Sequence, residues 1–105
     1  MKNPFPKQIR NLPAFEGPFD AFKLSAQGCD VMFASYPAGT EIPLHKHETD
    51  NVGLITQGEL ILTIHGKTKR FAVGDWYHVS ANSEHAAQFD SDTAEFKFWF
   101  KESLT

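Results

Sequence analysis

Turn-forming residues punctuate this chain at short intervals, and no stretch between them shows a convincing helical face. Gly17-Pro18, Gln27-Gly28, Pro37-Ala38-Gly39, Gln57-Gly58, His65-Gly66, Gly74-Asp75, Ala81-Asn82-Ser83 and Asp90-Ser91-Asp92 all read as turns. Most of the runs they bound are about five to eight residues long, the length of a strand. Within them apolar residues recur with period two. Leu60, Leu62 and Ile64 share one face, opposite Ile61, Thr63 and His65. Phe96, Phe98 and Phe100 share a face in the same way, opposite Lys97, Trp99 and Lys101. The expected strands cover 21–26, 29–36, 41–47, 51–56, 59–65, 68–73, 76–79, 85–89 and 93–101, with no convincing helical face anywhere. Many short strands with Gly-rich turns specify an all-β sandwich or a closed barrel, because either covers sheet edges that would otherwise aggregate.

A chain of 105 residues has room for one core. Residues 1–20, with Pro4, Pro6, Pro13 and Pro18, are expected to form an extended arm that packs its Phe side chains on the barrel or on a neighbouring subunit. Residues 21–105 are expected to form the single β-barrel domain. Hydrophobic residues at 41% and charged residues at 22% suit a packed fold rather than a disordered chain. The formal net charge is −3 and the longest basic group is Lys67, Lys69 and Arg70, so no nucleic acid partner is expected. The start of the chain lacks the apolar stretch of a secretory signal and no segment is long and apolar enough to span a bilayer; the expectation is a cytoplasmic protein without a membrane partner. Cys29 is the single cysteine, which excludes an internal disulfide. Gly28-Cys29-Asp30 offers it no activating base, so it reads as a structural thiol.

His45-Lys46-His47 is the sharpest chemical feature, since alternate residues of a strand project to one face and can offer two imidazoles to one ion. Such a pair also arises on plain exposed strands, so its surroundings decide. Gly39, five residues, His45-x-His47, three residues, Asn51, six residues and Gly58 resembles the first motif of the cupin superfamily, where the position of Asn51 usually carries Glu or sometimes Gln. Fifteen residues on, Gly74, five residues, Ser80, one residue, Asn82, two residues, His85 and three residues to Phe89 resembles the second motif. Of that motif's Gly, Pro, Gly, His and Asn, only Gly74 and His85 are kept. The resemblance implies a double-stranded β-helix, or jelly-roll, barrel that holds one divalent metal ion (Fe, Mn, Ni or Zn) inside through His45, His47, Asn51 and His85. Small cupins commonly pair, which implies a homodimer, and the Trp99 face flanked by Lys97 and Lys101 is the candidate contact.

The departures have physical readings. Asn82 tolerates the left-handed backbone of a tight turn, Ser80 loosens that turn, and Phe89 packs where the family has a polar group. Asn51 in place of Glu exchanges an anionic oxygen for a neutral one, which leaves the ion's charge uncompensated and favours hydroxide or an anionic ligand in its open positions. Asp50 is the alternative fourth ligand, although alternation points it outward if Asn51, Gly53 and Ile55 face in. Glu48 reads as solvated, His65 as part of a hairpin turn, and His78 as an exposed strand residue or, alternatively, a proton carrier near the metal. Phe33, Phe71, Trp76, Phe98 and Phe100 either line a cavity mouth or fill the barrel.

Two functions follow from the resemblance. One is a metal-dependent enzyme acting on a small, anionic molecule, by dioxygenase, isomerase, lyase or decarboxylase chemistry. Its catalytic residues beyond the ligands are unknown, and the motif supplies no clear general base. The other is a non-catalytic module that binds or senses a small ligand. A metal-free structural barrel is the third possibility.

Overall fold

The computed structural model describes residues 2–101; residue 1 and residues 102–105, the last of the expected domain, lie outside the described residues. Nine strands follow one helical turn, α1 (Lys7–Arg10): β1 (Asp20–Ala26), β2 (Cys29–Tyr36), β3 (Glu41–His45), β4 (Asn51–Gln57), β5 (Glu59–Ile64), β6 (Lys67–Ala72), β7 (Trp76–Val79), β8 (His85–Gln88) and β9 (Thr93–Phe100). Every expected strand is present: 29–36 and 76–79 match at both ends, and the others differ by at most two residues at an end. The turn of helix is a departure from the expected wholly extended arm. It forms where Pro6, extended at the N-cap position, presents its carbonyl to the N–H groups of Ile9 and Arg10.

The strands form two antiparallel sheets, one ordered β1-β2-β9-β4-β7 and the other β3-β8-β5-β6. Their inner faces meet in a core containing Met32, Ala34, Tyr36, Ile55, Leu60, Leu62, Tyr77, Val79 and Phe89. Each Leu or Ile so buried contributes roughly 1.5–3 kcal/mol. Phe89 stacks on Tyr36 with ring centroids 4.0 Å apart, so this position packs as expected. Gly53 is required by close approach: a Cβ there would overlap the Tyr77 ring on the neighbouring strand. The hairpin between β5 and β6 turns on His65 and Gly66, both at positive φ (50° and 75°), the two-residue geometry that matches strand twist.

The arm lies on the larger sheet. Phe15 N–H donates to Ala21 O (2.9 Å) and Lys23 N–H to Pro13 O (2.8 Å), which holds the arm beside β1. Phe5 is buried against Phe33 and Phe96 on the sheet's outer face. Register shows why it can pack there. Phe22, Phe33, Phe96, Leu54 and Trp76 are paired in one row across all five strands, and Leu24, Val31, Phe98, Val52 and His78 form the next. The phenylalanine face of β9 is therefore the outer face. Thr93, Glu95, Lys97 and Trp99 point into the barrel.

Candidate metal centre

Local backbone chemistry aims the three histidines. Pro43 lacks an N–H and sits where β3 slips against β8: Ile42 pairs with Ala87 but His45 pairs with His85, so one extra residue is accommodated as a bulge. The bulge sets His45 directly opposite His85, with ring centroids 4.1 Å apart. His47 lies just beyond β3, and its carbonyl accepts the Asn82 N–H (2.7 Å) from the turn that leads into His85. Asn82 adopts φ 62° to make that turn. One nitrogen from each of His45, His47 and His85 lies within 4.8 Å of the others, the separation of side chains that could hold a metal ion.

The tautomers are set as well. His45 Nδ1 lies 2.8 Å from Pro43 O and His85 Nδ1 lies 2.9 Å from Ser83 O. A carbonyl only accepts, so each Nδ1 carries the proton and each Nε2 keeps its lone pair, the arrangement of a metal-ligating imidazole. His47 Nε2 is buried without a hydrogen-bond partner, and so are both polar atoms of the Asn51 side chain. Asn51 is 1% exposed. Buried polar atoms are almost always paired, and an ion or water among these groups would satisfy them. Burial lowers the pKa of His47 to about 4, helped by the charge of Lys97 and by His45 and His85; burial likewise lowers that of His85. Both are thus neutral donors at ordinary pH.

Two spaces meet at His45. A void of about 20 Å³ inside the barrel touches His45, His85, Asn51, Tyr36, Glu95 and Lys97, with room for an ion or one water but no organic ligand. A mouth of about 220 Å³ lies outside it, lined by Phe19, Ile42, His45, His47, Lys97 and Trp99 among others. A larger cavity, about 370 Å³, opens between β6 and β7 beside Lys67, Lys69, Phe71, Trp76, Tyr77 and His78 and reaches none of the three histidines.

Asp50 is turned elsewhere: its Oδ1 accepts the Ala81 N–H (2.7 Å) and its Oδ2 is 3.8 Å from His78 Nε2. His78 stands on the outer face with its side chain 56% exposed.

Two interior charges escaped the sequence reading. Glu95 is 1% exposed and accepts hydrogen bonds from Tyr36 Oη (2.7 Å) and Tyr77 Oη. Burial, then the neighbouring carboxylate, pushes both tyrosines well above their ordinary pKa. Lys97 is 7% exposed, with Nζ 5.1 Å from the centre of the Phe19 ring and 5.4 Å from that of Trp99. Burial lowers its pKa while the Glu95 charge opposes the shift. Trp99 itself packs edge-on to His47, 4.7 Å between centroids. The expected dimer contact on the Trp99 and Lys97 face is thereby corrected, because that face is the barrel's inside. The only signal was a strand with charged residues alternating against phenylalanines, which does not tell which side is in. Of the aromatics read as lining a cavity mouth or filling the barrel, Phe33 and Phe98 lie on the sheet's outer face and Phe71 and Trp76 line the cavity between β6 and β7; the mouth at the histidines is lined by Phe19 and Trp99.

The cupin domain family model matches residues 32–100. A curated protein of Bacillus subtilis, H2HPP isomerase, is 28% identical over 74 residues, 68% of this chain and 31% of that protein; the chain spans about a third of its length. Among solved structures, a conserved protein of unknown function from Streptococcus pyogenes superposes with TM-score 0.75 at 20% identity, over 95% of this chain and 89% of the other. A cupin superfamily protein from Desulfitobacterium hafniense gives 0.75 at 18% identity, over 97% and 94%. These likenesses speak for the fold. With two antiparallel sheets, an inward histidine cluster and a family match over most of its length, this chain belongs to the cupin family.

Proposed function

We propose that this protein is a metal-dependent enzyme for a small anionic molecule, with one divalent ion held by His45, His47, His85 and Asn51. The observation that carries it is the convergence of orphaned donors: two Nε2 atoms freed by backbone acceptors, a buried His47 Nε2, and an Asn51 amide with no partner. Asp50 does not compete for the fourth place, since its carboxylate is engaged by Ala81 N–H. Iron, manganese, nickel and zinc all accept imidazole nitrogen. When bound, the ion supplies Lewis acidity and open positions at the mouth. Because every protein donor is neutral, an anion is the favoured occupant of those positions. The chain's own part is to orient the donors, to keep water scarce with Phe19 and Trp99, and to hold a positive charge at Lys97.

One observation favours the alternative of a binding module. The carboxylate inside the barrel is tied to two tyrosine hydroxyls and is poorly placed to act as a base. Elemental analysis of tag-free protein tests the metal, with about one ion per chain expected and loss of it in His45→Ala and in His85→Ala. Substoichiometric metal, unchanged in these variants, would overturn the reading. Each metal form would then be screened against small acids for oxygen uptake or substrate loss. Saturable binding with no turnover anywhere in the screen selects the module.

In the same reading residues 1–20 are an arm on a barrel of residues 21–105, and the protein is a homodimer. The two apolar rows on the outer sheet face support pairing there, with Leu24 at 45% and Trp76 at 56% exposure. Sedimentation of wild type and Trp76→Glu checks this: a dimer that the charge converts to monomer is expected. Among the described residues no helix is long and apolar enough to cross a membrane.

A further inference from the structure

Lys97 is the unexplained charge of this barrel. It occupies an inner row between Met32 and Gly53, where register would accept any apolar side chain. Among the described residues no ion pair includes it, and the one carboxylate on the same face, Glu95, takes a tyrosine hydroxyl on each oxygen, Tyr36 on Oε2 and Tyr77 on Oε1. Burying an unpaired ammonium costs several kcal/mol, and methionine would fill the space without that penalty. The Phe19 and Trp99 faces return only about 0.5–2 kcal/mol. Its ammonium ends in the mouth, beside His45 and His47. The partner it lacks is one that enters from outside.

The shape of the mouth narrows what that partner is. Its volume of about 220 Å³ lies below the roughly 300–1,000 Å³ of pockets for drug-sized ligands, which suits one ring and its substituent. Its walls are apolar and flat: Phe19 and Trp99 beside Ile42 and Pro43. Phosphate fits badly, because a dianion needs several donors and a single lysine is one point charge. A carboxylate needs one cation for one charge, and a flat apolar body desolvates the aromatic walls.

We propose that the mouth binds a small, flat, apolar carboxylic acid, with its carboxylate on Lys97 Nζ, its body against Phe19 and Trp99, and its open edge toward the histidines. This deepens the reading of the mouth as the ligand site, but the anchor belongs to the chain and works without an ion.

Calorimetric titration of chelator-treated, metal-free protein with benzoate, its uncharged relative benzamide, and inorganic phosphate tests the assignment. Benzoate is expected to bind at least about tenfold more tightly than benzamide, with phosphate weaker than benzoate. Lys97→Met, checked for folding by its melting transition, brings benzoate and benzamide within about twofold. Lys97→Arg restores part of the preference. Trp99 emission, read in the Trp76→Phe background, changes with benzoate and so locates it at the mouth.

A preference that survives Lys97→Met overturns the proposal. So does phosphate binding as tightly as benzoate, or no saturable benzoate binding below about 10 mM. A preference seen only in metal-loaded protein assigns the anion to the ion and also overturns it. If elemental analysis finds no metal but the benzoate preference holds and falls in Lys97→Met, the metal reading fails and this one stands.

Discussion

β5 and β9 have the same alternating pattern and use it in opposite ways. In β5 the apolar members Leu60 and Leu62 point inward, 2% and 4% exposed, and fill the space between the sheets. In β9 the apolar members Phe96 and Phe98 point outward, and Thr93, Glu95, Lys97 and Trp99 line the inside. Period two determines which residues share a face; what lies opposite determines which face is in. For β9 the tyrosine hydroxyls of β2 and β7 receive Glu95, the mouth receives Lys97, Phe5 packs on the outward ring of Phe96, and Trp76 packs beside that of Phe98. One strand is built for packing and the other for a site.

That contrast can be broken by measurement. Leu62→Ala should lose about 2–5 kcal/mol of stability in denaturant titration, the range for a truncated core side chain. Next comes Glu95→Ala, which strands two buried hydroxyls; about 1–3 kcal/mol is expected, with much of it recovered in Glu95→Gln. A smaller effect is set by pH. The folded-state pKa of His47 lies at about 4, below the 6.5 of an unfolded chain, and that of His85 is shifted the same way. The unfolded state therefore binds more protons between those limits, and metal-free protein loses stability as pH falls from 6.5 toward 4, by on the order of 1 kcal/mol after discounting for partial exposure. Melting across that range checks the sign, and stability that rises on acidification contradicts it. The smallest change is expected for Lys97→Met, within about 1 kcal/mol of wild type or more stable. A loss as large as that of Leu62→Ala would mean that the inside of β9 is structural after all.

Much of this molecule is legible in its sequence. Strand positions follow from turns, and the clustering of His45, His47 and His85 is what the resemblance of their spacing to the two cupin motifs implies. The helical turn at Lys7–Arg10 is too short to show a face. The inward Lys97 and Glu95 are hidden for a deeper reason: their partners Tyr36, Tyr77 and Phe19 are 18 to 78 residues away, and only the closed barrel brings them together. The Trp99 surface was misplaced for the same cause, since alternation has no inside or outside until the second sheet is laid on the first.

The bulge at Pro43 and Leu44 gives the histidine cluster a fixed slack. Two exposed residues of β3 stand between Ile42 and His45 where β8 has only Ala86 between Ala87 and His85, so Ile42 and His45 face the same way across an odd step. Removing one of the two leaves a regular ladder with Ile42 opposite Ala87 and His45 still opposite His85, whereas removing both makes His45 the neighbour of Ile42 and turns it to the other face. The slack is one residue deep: a first deletion in this segment is absorbed, and a second does to the histidine cluster what no conservative substitution on β3 can do.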